Sequence, residues 1–369
     1  MKDVERRFVG IDLAKRSYVA KVLQPGTDKG RILKGSTSPE GLKKLYHSLN
    51  SQDRVSLEAC AQGFWLARRL IETVGCEVVV LNAGDLAIIY RSTKKTDLND
   101  AEKLAWIIKR LPLKELPVVA LPTEEEESRR SMVSELHFEK RLRTMQINRL
   151  HSIFTRVGQT EIRKKHLATI EARKESIQSL PGRAHREALR LLEVICLIEN
   201  HIQLIEEEMA VSLSGEELAE HLLSMPGVGV QTAMAFLAHV GDGSRFSKGR
   251  QVSNYVGMTP RIYSSGETER MGHISKHGCL ALRSIIVQSA WSAVHTRRSN
   301  VFKTKYEELV PRIGKKRAIV AIARRMLETM WILVTRKEDF RGYDEFSKRL
   351  KLRKIQIKVE KLEKTGLVA

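Results

Sequence analysis

Apolar positions follow two different rhythms along the 369 residues of this chain. Up to residue 123 short apolar runs alternate with stretches of helical spacing. Arg7-Phe8-Val9-Gly10-Ile11-Asp12-Leu13 reads as a strand ending in an acid, and Tyr18-Val19-Ala20-Lys21-Val22-Leu23 as its hairpin partner. Val55-Ser56-Leu57-Glu58 and Glu77-Val78-Val79-Val80-Leu81-Asn82 read as two further strands. Gly63 to Val74 and Leu98 to Leu111 carry apolar residues at helical spacing, the second helix with Thr96 or Asp97 at its N-cap. Pro112, Pro117 and Pro122 then break the pattern.

Residues 124–220 change rhythm. Glu124 to Val157 and Ala184 to Ser212 are charged helices punctuated by Leu and Ile, separated by Pro181-Gly182, and predict an antiparallel helical hairpin or coiled coil. Such an arm can set dimer geometry, and it can carry Arg149, Arg156, Arg163, Lys164 and Lys165 to a phosphate backbone. Residues 221–345 predict a compact, mainly helical domain, and 346–369 a basic tail, read as a frayed helix that orders only on nucleic acid. The expected architecture is therefore α/β followed by all-α: domain 1–123, arm 124–220, domain 221–345 and tail 346–369.

Charge narrows the function classes. Lys plus Arg number 64 against 44 Asp plus Glu, a net +20, which points to a polyanionic partner. Residues 1–123 are net +7, 124–220 net −3 and 221–369 net +16. No stretch approaches the roughly 18–20 uncharged apolar residues of a spanning helix, and the N-terminus has no signal-peptide apolar region. The four cysteines, Cys60, Cys76, Cys196 and Cys279, form no CxxC pair. A cytosolic protein without membrane partner, structural zinc or disulfide framework is expected.

Four carboxylates stand out by position. Asp12 and Glu58 each end a strand, and Asp97 and Asp100 lie three apart on one helix face. In a ribonuclease-H-like sheet the first and a later strand are neighbours, and a following helix crosses near their ends, which would gather all four. Such a cluster repels itself unless cations sit among it, and an all-oxygen donor set suits Mg²⁺ or Mn²⁺. Singly, Asp97 could equally cap its helix and Asp100 answer the helix dipole, while Asp12 and Glu58 could be surface residues at strand ends.

Downstream, Met225-Pro226-Gly227-Val228-Gly229 between two helices reads as a helix-hairpin-helix. Gly227 and Gly229 there permit positive φ, and the following helix offers free amides to a phosphate. A tight interhelical turn is the alternative. Ser264-Ser265-Gly266 reads as a loop between basic segments that include Arg261, Lys276 and Arg283. A serine there could attack a phosphodiester if activated or simply form a turn. His273, His277 and Lys276 could orient phosphates or be solvated surface residues.

At these motifs the chain resembles a transposase of the bacterial insertion-sequence families 110 and 1111, the bridge-RNA-guided DNA recombinases. The N-terminal likeness is to a RuvC-like DEDD domain, carried by Gly10-Ile11-Asp12, Leu57-Glu58-Ala59 and Lys95-Thr96-Asp97 with Asp100-Ala101. The C-terminal likeness is to the family's transposase domain, carried by 225–229, Gly257-Met258-Thr259-Pro260-Arg261, 264–266 and 274–283. Together they cover about residues 6–345. The resemblance implies that Asp12, Glu58, Asp97 and Asp100 bind Mg²⁺. It makes Ser265, or its neighbour Ser264, the nucleophile that forms a transient phosphoserine link. It also implies that an RNA pairs with donor and target DNA, and that the protein acts as a tetramer of two dimers, with the metal site of one subunit and the serine of another forming one centre. A bacterial, nucleoid-associated location follows. The low aromatic content of 5% suits a protein whose sequence reading is delegated to base pairing. Two competitors share these residues: a junction endonuclease using metal-activated water, and a non-catalytic nucleic-acid-binding protein.

Overall fold

The computed structural model describes residues 6–82, 84–86, 96–265, 268–342 and 344–365, and excludes the side chains of 262–271 and 364–365. The chain forms two compact units, 1–123 and 124–369.

The first unit is built on five strands: β1 (Phe8–Leu13), β2 (Ser17–Leu23), β3 (Gly30–Ser36), β4 (Arg54–Glu58) and β5 (Glu77–Leu81). They lie in the order β3-β2-β1-β4-β5. β1 pairs antiparallel with β2, and β2 with β3, whereas β1–β4 and β4–β5 are parallel. This is the order and polarity of a ribonuclease-H-like sheet. Helices α1 (Pro39–Ser48), α2 (Ala61–Val74) and α3 (Asp97–Arg110) complete the layers. Val9, Ile11, Leu45, Leu66 and Leu70 make one core, and Phe8, Leu81, Leu104 and Ile108 the other. β1 is covered on both faces, which is why it reads as an unbroken apolar run.

The sequence pattern did not disclose β3 or α1. β3 is mostly exposed along its length, with Arg31 and Lys34 blunting an edge, so it lacks the apolar alternation of a half-buried strand. At the entry to β4, the fully buried Asp53 accepts from Arg7 Nε and Nη2 at 2.7 and 2.6 Å and from Asn50 N at 2.9 Å. That pairing leaves neither carboxylate oxygen without a partner in the core.

In the second unit α4 (Glu124–Arg156) and α6 (Gly182–Ser212) run antiparallel. Arg129 at the start of one bonds Glu216 just past the end of the other, and Arg156 at its end bonds Glu187 near the other's start. Between them lies α5 (Ile170–Gln178). The distal ends share a core of Leu150, Phe154, Ile177, Ala188 and Ile195. The proximal ends, through Val133, Leu136, Ile202 and Met209, join the large core of the remaining helices. Those are α7 (Glu217–Leu223), α8 (Val230–Val240), α9 (Gly249–Tyr255), α10 (Leu280–Val294), α11 (Val301–Ile313), α12 (Lys315–Arg336) and α13 (Glu345–Thr365), together with a hairpin of β6 (Pro260–Ser265) and β7 (Thr268–Ile274). Among the described residues no helix is long and apolar enough to cross a membrane.

One expectation is overturned. The basic tail is not a frayed segment waiting for nucleic acid: α13 is docked on its own unit. Ile355 and Leu362 are buried. Lys348 pairs with Asp339 at 2.7 Å and Lys361 with Glu207 at 2.7 Å. Lys351 Nζ donates to the carbonyls of Leu223 and Met225 at 2.7 and 3.0 Å. Ile355 and Leu362 are seven residues apart, with Leu352 and Val359 packed beside them, and this 3–4 spacing seats the helix while Lys348, Lys351 and Lys361 are engaged by partners within the fold.

Candidate active site and nucleic-acid surfaces

β1 and β4 are in register at Ile11 and Leu57, so Asp12 and Glu58 follow side by side at the ends of adjacent parallel strands. α3 starts beside them because Gly10 lets it. A β-carbon on Gly10 would lie 2.0 Å from Ala101 O and 2.3 Å from Ala105 N, so only a residue without one allows the helix backbone this close. Thr96 is the N-cap of α3, accepting from Asn99 N. The capping alternative for Asp97 therefore falls away.

All four carboxylates act on one another at Asp12. Its pKa is raised first by burial and then by the charges of Asp97, Asp100 and Glu58. Asp97 and Glu58 are exposed and Asp100 is half-buried, and Asp100 pairs with Lys103 at 3.1 Å. Among the described residues no three Asp, Glu, His or Cys side chains converge closely enough to enclose an ion. The four acids share one neighbourhood, and their all-oxygen donor set and the repulsion felt at Asp12 fit a divalent cation. Lys95 of the same motif lies outside the described residues.

The 225–229 segment is a helix–turn–helix between α7 and α8. Gly227 has φ +77°, and a β-carbon there would meet Ser289 O at 2.4 Å, so the turn is pressed against α10. Gly229 differs from expectation. It caps α8 with extended backbone, φ −122° and ψ −174°, and makes no side-chain cap. What requires glycine at 227 is a left-handed turn, whereas at 229 a β-carbon would enter open space. The first amides of α8 border a cleft of about 460 Å³ that Lys140, Gln231, Gln288 and Lys358 also line.

Ser264 and Ser265 were expected in a loop. Instead they are the last residues of β6, in register with Glu269 and Thr268 of β7. Their side chains, and Gly266, lie outside the described residues. The base of the hairpin is pinned by paired glycines: a β-carbon on Gly257 would lie 1.9 Å from His277 O, and one on Gly278 1.9 Å from Tyr255 O. Arg261 donates to Ser275 O at 3.1 Å and Arg283 to Val256 O at 2.8 Å, so both guanidiniums help brace this base. Lys276 is exposed, on left-handed backbone with φ +57°. His273 and His277 are exposed too.

Two features had no sequence reading. Cys279 Sγ lies 3.1 Å from His239 Nε2. Burial, with Arg130 and Arg245 nearby, pushes His239 down to about 4, so the imidazole is neutral at pH 7 and free to accept from the thiol. Lys351 is the other. Burial lowers its ammonium to about 8, and it caps the carbonyls directly before the Pro226-Gly227 turn. The buried positions seven apart in the tail were the signal for it.

Two family models match this chain. One describes a DEDD transposase and covers residues 9–158. The other, described as "Transposase IS116/IS110/IS902 family", covers 219–307. A "Probable family 20 transposase" of Pseudomonas aeruginosa is 26% identical over 90% of this chain and 98% of its own length. The "Transposase for insertion sequence element IS1111A" of Coxiella burnetii is 29% identical over 68% of this chain and 70% of its own. The "Transposase for insertion sequence element IS1328" of Yersinia enterocolitica is 28% identical over 76% and 83%.

Proposed function

The chain belongs to the IS110/IS1111 transposases, enzymes that act on DNA, and on that footing we propose that it cuts and exchanges DNA strands with a serine nucleophile at sites chosen by an RNA. Asp12, Glu58, Asp97 and Asp100 would hold Mg²⁺ or Mn²⁺. When bound, the ion supplies charge neutralisation and Lewis acidity at the phosphodiester oxygens. The observation that supports the metal part of this reading is the placement of Asp12 and Glu58 at neighbouring strand ends beside the start of α3, where Asp97, Asp100 and Glu58 add to burial in raising the Asp12 carboxyl.

In the covalent step the Ser265 Oγ–P bond forms as the P–O bond to a deoxyribose oxygen breaks. The serine proton passes to a basic group or water, and the departing oxygen is protonated to a hydroxyl. Attack by a second strand's hydroxyl reverses the exchange and frees the serine, so bonds and protons balance. The amides of α8 and the cleft beside Gly229 would hold backbone phosphate, with Arg261, Lys276 and Arg283 on the hairpin's base adding cations. Donor and target DNA and the guide RNA are the expected partners, in a tetramer of two dimers.

The acid variants test the metal half. Asp12→Asn combined with Asp97→Asn is expected to retain DNA binding and lose Mg²⁺-dependent strand cleavage; full cleavage would remove these acids from the chemistry. Sequencing the nucleic acid retained by the purified chain tests the guide: a discrete RNA encoded beside its gene is expected, and its consistent absence contradicts RNA guidance.

A further inference from the structure

The arm's average charge conceals a strong polarity. Residues 141–190 hold twelve Lys and Arg against four Glu, net +8, whereas 124–140 and 191–220 together hold three against fourteen acids, net −11. Four of the distal arginines converge. Arg149 and Arg156 stand seven apart on α4, and Arg183 and Arg190 seven apart on α6. Each pair therefore shares a helix face with a separation of about 10 Å. All four line one cleft of about 760 Å³ between the two helices.

Within this cleft the lining acid is Glu187. It lies 2.6 Å from Arg156 and 3.8 Å from Arg149, and the arginines hold its carboxyl below the usual carboxylate range, Arg156 foremost. One carboxylate against four guanidiniums leaves the cleft net positive. The Arg149 and Arg156 side chains remain 65% and 59% exposed, so they present donors to solvent. Beyond the Arg156–Glu187 tie, the distal core is closed by Leu150, Phe154, Ala188 and Ile195.

We infer that this cleft is a second nucleic-acid surface, which grips the phosphodiester backbone of duplex DNA through Arg149, Arg156, Arg183 and Arg190. Guanidinium forks match phosphate oxygens in pairs, and such contacts position a duplex without reading its sequence. DNA is the ligand because the enzyme acts on it. The inference rests on that activity and not on the serine or metal assignments.

The test is fluorescence anisotropy of the full-length chain with a duplex DNA probe and, separately, an RNA hairpin, across a salt series. The variant R149Q/R156Q/R183Q/R190Q is expected to bind duplex DNA at least 10-fold more weakly. The slope of log K against log salt should shrink by roughly 0.9 for each phosphate no longer neutralised, with the thermal midpoint unchanged. Glu187→Gln is expected to tighten DNA binding two- to threefold, and it decides the matter if the quadruple variant melts early. Unchanged DNA affinity and slope in a folded quadruple variant, a loss confined to the RNA probe, or no tightening by Glu187→Gln overturns the inference. Ser265→Ala is expected to leave this binding intact, so failure here and failure of the proposed chemistry are read separately.

Discussion

Gly10 sits so close to α3 that a β-carbon on it would fall 2.0 Å from the carbonyl oxygen of Ala101. Two residues further along β1 is Asp12; one residue before Ala101 is Asp100. The contact that closes the sheet against the helix thus also fixes the spacing of the acids, so packing and site share one determinant.

Gly10→Ala is therefore expected to destabilise the first unit by about 1–3 kcal/mol or more, the cost of overpacking, and to abolish cleavage. Gly229→Ala has room for its β-carbon and is expected to change stability little. Thermal melts of the two variants check the contrast.

Asp12→Asn is expected to raise the thermal midpoint at pH 7 without divalent ions. The folded-state pKa of Asp12 is raised, so the stability its protonated form contributes is fully present below the unfolded value of about 3.9. It is lost as pH rises through the folded value, and the asparagine variant escapes that loss. The difference should shrink toward pH 3.5. Mg²⁺ should raise the wild-type midpoint more than the variant's. Melts at both pH values, with and without Mg²⁺, read each effect.

Lys351 gives the opposite sign. Its folded pKa, lowered to about 8, lies below the unfolded value of about 10.4. Its contribution is present above the unfolded value and lost as pH falls through the folded one. The melting difference between wild type and Lys351→Met should move in favour of the wild type between pH 7 and 10.

The positions of Asp12, Glu58 and Asp97 at element ends were legible because a short apolar run marks each buried strand and a 3.6-residue period marks the helix. β3 was not, because an exposed edge strand buries too little to impose alternation. Ser264 and Ser265 read as loop because serines beside a glycine are turn formers, whereas the backbone pairs them with Glu269 and Thr268 at the tip of a hairpin. The tail misled through its charge: Lys348 and Lys361 look solvated until their partners Asp339 and Glu207, far away in sequence, are brought in. The arm's basic residues Arg149 and Arg156 were legible as phosphate candidates, but its net −3, averaged over both ends, did not show how far the distal half differs from the proximal one.

The central claim is the serine nucleophile, and a denaturing gel of the chain incubated with its DNA and Mg²⁺ tests it most directly. The account predicts a covalent protein–DNA adduct that disappears in Ser265→Ala while DNA binding persists. An adduct that survives in both Ser265→Ala and Ser264→Ala, or junction cleavage by Ser265→Ala with Mg²⁺, would contradict it.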